Sequence, residues 1–231
     1  MQIKDFTTIQ LAGMFDNTLL KPNASKEAFK KLCYESQKYG FKMVAVNSAV
    51  VGLCREYLGN SPVHVGAAVS FPFGQTPIET KVFEAEEDIR NGADEIDYVI
   101  NLVELKDKNY NYVRREMSEI VKVCRANNVI SKAIFENCYL TQEEKKALCK
   151  IALEVQPDFI KTSTGFGTGG ATVEDVKFMK SIVKNKVKVK AAGGINNLNL
   201  LFALIDAGAE RIGTSHAVQL IEDFKKQKAA G

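Results

Sequence analysis

Short, nearly continuous apolar runs alternate along the chain with longer stretches whose apolar residues recur at helical spacing. The short runs fit strands buried on both faces, and the long ones fit amphipathic helices. Strands are expected near 14–19, 43–47, 63–69, 94–100, 129–135, 157–161, 187–191 and 209–213. Helices are expected near 25–39, 48–58, 77–91, 111–127, 142–155, 173–185 and 197–207, with a last one over about 215–227. Punctuation supports these boundaries. Thr76 is placed to cap a helix that Pro77 opens and Glu79 boxes, Thr141 and Glu144 repeat the capping box, and Gly40, Gly92 and Gly208 close helices.

Eight βα units in one chain predict a single (β/α)8 barrel with parallel strands over residues 1–231. An open doubly wound sheet is the competing architecture, and Gly165-Phe166-Gly167-Thr168-Gly169-Gly170 matches GxGxxG. A dinucleotide site wants that motif after the first strand and an acid at the end of the next. Here it follows the sixth strand, and the seventh ends in Val189-Lys190.

Composition narrows the function classes. Of 231 residues, 45% are hydrophobic and 26% charged, which suits a globule with a real core. A net charge of +3 from interspersed residues gives no footprint for nucleic acid. No apolar run approaches a membrane span, and Met1-Gln2-Ile3-Lys4-Asp5 does not read as a signal peptide, so a cytoplasmic address is expected. Cys33, Cys54, Cys124, Cys138 and Cys149 form no CxxC pair and are expected as free thiols. With only His64 and His216, neither a three-histidine zinc site nor a finger can be assembled, so no metal site and no cofactor are expected.

Barrel enzymes work at the C-terminal ends of their strands, and this chain places Asp16, Asp97, Glu136, Lys161 and Lys190 there. Alternation along each strand sends Lys132, Lys161, Lys188 and Lys190 into the lumen, facing Asp16, Glu95, Asp97 and Glu136. Such charges are costly unless paired, so several are expected to be structural ion pairs, Lys188 and Glu95 foremost. The same set suits amine catalysis. A nucleophilic lysine must be neutral, and Lys190, on the strand next to Lys161, is a plausible second cation to make it so. Asp97 could then shuttle protons. Gly193-Gly194 after the seventh strand and Gly213-Thr214-Ser215 after the eighth read as a phosphate cradle opening the last helix, or as tight turns with an N-cap at Ser215.

Taken together, Asp94-Glu95-Ile96-Asp97, Lys161-Thr162-Ser163-Thr164-Gly165-Phe166, Thr168-Gly169-Gly170-Ala171-Thr172, Lys190-Ala191-Ala192-Gly193-Gly194-Ile195 and Arg211-Ile212-Gly213-Thr214-Ser215 resemble the deoxyribose-phosphate aldolase family. The likeness runs in order from about Phe15 to Ile221. It implies a metal-free class I aldolase that cleaves 2-deoxy-D-ribose 5-phosphate reversibly to acetaldehyde and D-glyceraldehyde 3-phosphate. By the same resemblance Lys161 is the Schiff-base lysine, Lys190 the lysine that perturbs it and Asp97 the proton relay. Asp16, Thr18, Lys132, Thr164, Gly165, Gly193, Gly194, Gly213, Thr214 and Ser215 are the expected substrate contacts, and a homodimer is suggested.

The chain departs from the family at Asn17 for histidine, Ala45 and Ser48 for cysteine and proline, Asn137 for threonine and Asn196 for arginine. None of these removes the lysines or Asp97. Two other readings compete. A Schiff-base barrel for a different sugar phosphate would show a second phosphate loop, and a non-catalytic phosphosugar binder would have lost Lys161, Lys190 or Asp97.

Overall fold

The computed structural model describes residues 6–230. Its eight strands are β1 (Phe15–Thr18), β2 (Met43–Asn47), β3 (His64–Val69), β4 (Glu95–Val99), β5 (Ile130–Ile134), β6 (Phe159–Lys161), β7 (Lys188–Ala192) and β8 (Arg211–Thr214). Each pairs in parallel with its neighbours in sequence, and β8 returns to β1, with Asp16 opposite Gly213, so the sheet closes as a (β/α)8 barrel.

The helices form the outer ring. In order they are α1 (Thr8–Ala12), α2 (Lys26–Tyr39), α3 (Val51–Leu58), α4 (Ile78–Arg90), α5 (Leu102–Lys106), α6 (Tyr110–Ala126), α7 (Gln142–Val155), α8 (Val173–Val183), α9 (Leu198–Asp206) and α10 (Ala217–Ala230). Single 3-10 turns occupy Ser48–Val50 and Asn137–Tyr139. The Thr141–Glu144 capping box forms as expected, and Gly40 ends α2 in the left-handed conformation at φ 69°. Thr76 does not cap α4. Its hydroxyl is taken by Ser70 Oγ at 2.7 Å, and Pro77 stands at the N-cap without a side-chain bond.

Strand alternation divides the interior in two. Outward residues such as Val44, Val65, Ile96, Tyr98, Ala133, Ile160, Val189 and Ile212 pack under the helices and form the hydrophobic core. Burial of this annulus supplies the main driving force for the fold. Cys33, Cys54, Cys124 and Cys149 are buried and Cys138 half-buried, all as free thiols. The inward set is largely charged. Gly66 leaves room for the Met43 side chain, which would have to shift if a Cβ were added there. Among the described residues, no helix is long and apolar enough to cross a membrane.

Candidate active site

β4 sends two carboxylates into the lumen one above the other, since Glu95 and Asp97 are two residues apart. The deeper one, Glu95, is wholly enclosed. It accepts from both Arg211 contacts at 2.8 and 2.9 Å, meets His64 Nδ1 at 2.7 Å and pairs with Lys132 Nζ at 2.6 Å. Burial alone would raise its pKa, but Lys132, the His64 hydrogen bond and Arg211 prevail and hold it well below the usual carboxylate range. Arg211 also reaches across to Asp16, at 2.8 Å from Nε.

Asp97 is the hub of the upper layer. Its Oδ1 takes Lys132 Nζ at 2.5 Å. Its Oδ2 takes Lys161 Nζ at 2.8 Å and Lys190 Nζ at 2.6 Å. Lys190 also pairs with Asp16 Oδ2 at 2.6 Å. Burial works against the ionised carboxyl, yet Lys132, Lys161 and Lys190 together keep Asp97 far below its ordinary value. Lys161 responds differently. Burial pushes its pKa down and Asp97 pushes it back, while the neighbouring charges of Lys190 and Lys132 lower it further, leaving it at about 8. An amine so placed carries a useful neutral fraction near neutral pH, which an ordinary lysine does not.

Lys161 is also the lumen cation that opens outward. It lines a cavity of about 250 Å³ walled by Leu20, Thr164, Phe166, Gly193 and Thr214, among others. Lys132, Lys190, Asp16 and Asp97 are buried and do not line that cavity. Thr18 lines the cavity, with its hydroxyl turned back to the Asp16 carbonyl oxygen at 2.9 Å. Gly165, Gly193 and Gly194 all have positive φ, at 88°, 90° and 75°. Gly170 lies against Gly193, where a Cβ would stand 2.2 Å from the Gly193 carbonyl oxygen, and Ala171 N donates to that oxygen at 3.0 Å. The GxGxxG run is thus a packing seam between two catalytic-face loops. Gly213 leaves room for Lys190, whose Cε would be 3.1 Å from an added Cβ.

At the cradle end, Thr214 donates its hydroxyl to Ile195 O at 2.6 Å and accepts from His216 N at 3.0 Å, so it shapes the turn. Ser215, with its exposed Oγ near His216 Nδ1 at 3.3 Å, and the backbone of Gly193 and Gly194 face the cavity. Lys21 and His216 line it as well, and no carboxylate does.

Two inward assignments need correction. Lys188 lies at the opposite mouth, exposed and stacked on Phe159 at 5.5 Å, and Arg211 takes the place in the charge network expected of it. Glu136 follows the end of β5 at φ 55°, which turns it out of the lumen. There it accepts from Thr164 N at 3.1 Å and from Thr164 Oγ1, fixing the loop after Lys161. Asn17 faces outward and donates to Ser36 Oγ at 3.1 Å.

Comparison with known proteins agrees with this fold. Residues 11–226 match the model of the DeoC/LacD family aldolase. A deoxyribose-phosphate aldolase of Lactobacillus acidophilus is 53% identical over 95% of this chain and 93% of its own. One from Thermococcus gammatolerans is 50% identical over 93% of this chain and 96% of its own. Among solved structures, QR15, an aldolase, has a TM-score of 0.90 at 38% identity, covering 95% of this chain and 98% of that one. The deoxyribose phosphate aldolase of Aeropyrum pernix, described as having a unique tetrameric structure, has a TM-score of 0.86 at 33% identity, covering 96% and 93%.

Proposed function

The chain belongs to the DeoC/LacD family of aldolases, and from that premise we propose that it cleaves 2-deoxy-D-ribose 5-phosphate reversibly through a Schiff base on Lys161. The observation that carries this reading is the buried Lys161 amine at the floor of a cavity, paired with an Asp97 carboxylate that Lys190 shares; burial lowers its pKa to about 8.

In this mechanism neutral Lys161 Nζ attacks the C1 aldehyde of the open-chain sugar. The carbinolamine gains a proton on its hydroxyl and loses water to give an iminium. Asp97, in contact with Lys161 and Lys190, is placed to pass that proton. Loss of the C3 hydroxyl proton breaks the C2–C3 bond. Its electron pair moves into the iminium as an enamine, and glyceraldehyde 3-phosphate departs. Protonation at C2 and hydrolysis return acetaldehyde and free Lys161. Backbone N–H groups of Gly193 and Gly194, with Ser215, would hold the phosphate. No step calls for a metal or an organic cofactor. A place in deoxyribose phosphate breakdown, a cytoplasmic address and a homodimer belong to the same reading, and sedimentation separates that dimer from a tetramer.

The direct test is reductive trapping. Acetaldehyde with borohydride should fix a covalent adduct that peptide mapping assigns to Lys161. Labelling of Lys190 alone, or of no lysine, would overturn the proposal, as would a strict need for an added divalent ion after chelation.

A further inference from the structure

On the outer side of the barrel, α4 and the turn at Ser48–Val50 border a groove of about 530 Å³. At its base Ser48 Oγ lies 2.8 Å from Glu84 Oε1 and 2.9 Å from Asp88 Oδ2. A serine hydroxyl has one proton, and ionised carboxylates only accept. Both contacts become linear hydrogen bonds only when one carboxyl carries a proton of its own. Asp88 is the better bearer. It is 1% exposed, and Glu84 already uses Oε2 to accept from Ser70 N at 2.8 Å. Burial raises the pKa of Asp88 to about 7, Ser48 opposes the rise, and the nearby charges of Glu84 and Glu87 add to it.

Among the described residues, the cations near this cluster are already paired. Glu87, also on α4, is held by Arg90 and Asn91. Arg55 of α3 is held by Gly92 O and Asp94. From α6, Arg115 pairs with Glu79 and Glu116 with Lys81. Just past β3, Ser70 contributes its N–H.

The relay ends where the loop after β3 begins. Ser70 has φ 50°, its carbonyl oxygen accepts from Gly74 N at 2.7 Å, and its hydroxyl meets Thr76. The next residue, Phe71, packs edge-on against Phe166 with ring centres 5.4 Å apart. Phe166 is a wall of the catalytic cavity.

We propose that Asp88, Ser48 and Glu84 form a one-proton relay that, through Phe71, positions the Phe166 wall of the cavity, with Asp88 as the protonated end. Asp88 and Ser48 are positioning residues, and the relay couples solution pH to the substrate mouth. Its effect on catalysis rests on the aldolase reading, but its effect on the loop does not.

Amide hydrogen exchange reads the loop directly. Protection factors at Ser70 and Gly74, corrected for intrinsic exchange, should fall severalfold between about pH 6 and about pH 8 as Asp88 ionises. Asp88→Asn, whose amide can donate to Ser48 at any pH, should hold protection constant over that range. Ser48→Ala should lower it throughout with little change in melting temperature. An infrared band of a protonated carboxyl should be present in the native protein at neutral pH and absent from Asp88→Asn. With deoxyribose 5-phosphate as substrate, KM should rise across the same pH range in the native enzyme and not in Asp88→Asn, with kcat following the same pH profile in both. Parallel protection profiles for the native protein and Asp88→Asn, or loss of no carboxyl band, would overturn the relay. A failure to cleave the sugar phosphate with the exchange pattern intact would overturn the aldolase reading instead.

Discussion

Glu95 and Asp97 sit on one strand, face one lumen and are each surrounded by cations, yet the two layers are chemically unlike. Around Glu95 the basic partners are Arg211, Lys132 and His64, and none of them lines the cavity that Lys161 opens to. Around Asp97 one of three lysines, Lys161, opens to it. The lower layer is saturated, so its charges serve to hold each other. Lys132 and Asp16 bridge the two layers. The network as a whole sets four cations (Lys132, Lys161, Lys190 and Arg211) against three carboxylates (Asp16, Glu95 and Asp97), with Lys161 the one of the four that lines the cavity. Access, rather than residue type, separates the cluster that holds the barrel from the one proposed to react.

Lys161→Met tests that contrast most severely. It should abolish adduct formation and reduce cleavage by several orders of magnitude at every pH, because the nucleophile is gone. Asp97 would keep two lysines, so melting temperature should change little, and a large fall would make Lys161 a structural residue.

Glu95→Gln should do the reverse. It strips a buried anion from its basic partners and should cost about 3–5 kcal/mol of stability by urea denaturation, while folded protein still forms the adduct. Glu95 and Asp97 both have lowered pKa values in the fold. The stability each lends is therefore complete above its unfolded pKa, about 4, and is lost as pH falls toward the folded value. Unfolding free energy measured downward from about pH 5 should fall less steeply in Glu95→Gln than in the native protein.

Lys190→Met gives a smaller and more diagnostic effect. Removing its charge should raise the Lys161 pKa above about 8. The rising limb of the pH–rate profile should then move to higher pH by on the order of one unit, because only the neutral amine attacks. A destabilised variant with an unshifted profile would assign Lys190 to holding Asp16 and Asp97. The smallest expected effect is that of His64→Gln. Its side chain is part-exposed at the far mouth, so stability should drop by less than about 1 kcal/mol and the profile should stay in place.

Much of this contrast was legible in the sequence. Alternation in Asp94-Glu95-Ile96-Asp97-Tyr98 sends both acids inward, and the strands lie within about two residues of their expected bounds. The same rule misplaces Lys188, because parity fixes the face of a residue but not its depth along the barrel axis. Parity along Arg211-Ile212-Gly213 would have identified the arginine, which pairs in register with Lys190. Glu136 escaped because a left-handed residue breaks the alternation just past the strand. The five-residue helices α1 and α5 are too short to show a period. Thr76 looked like a cap because its sequence context cannot show that Ser70 already holds its hydroxyl.

Arg211 gives the barrel a direction in time. Its guanidinium closes onto Glu95, 116 residues earlier, and onto Asp16, 195 residues earlier. A chain emerging from its N-terminus therefore makes both acids long before the arginine that joins them, and a partial barrel must leave them in contact with water. Arrival of β8 seals the ring and dehydrates the charges in one event. Closure of the sheet and completion of the lumen network thus coincide, and a nascent chain halted before Arg211 has its three lysines and three acids but lacks the residue that ties Glu95 to Asp16 across the barrel.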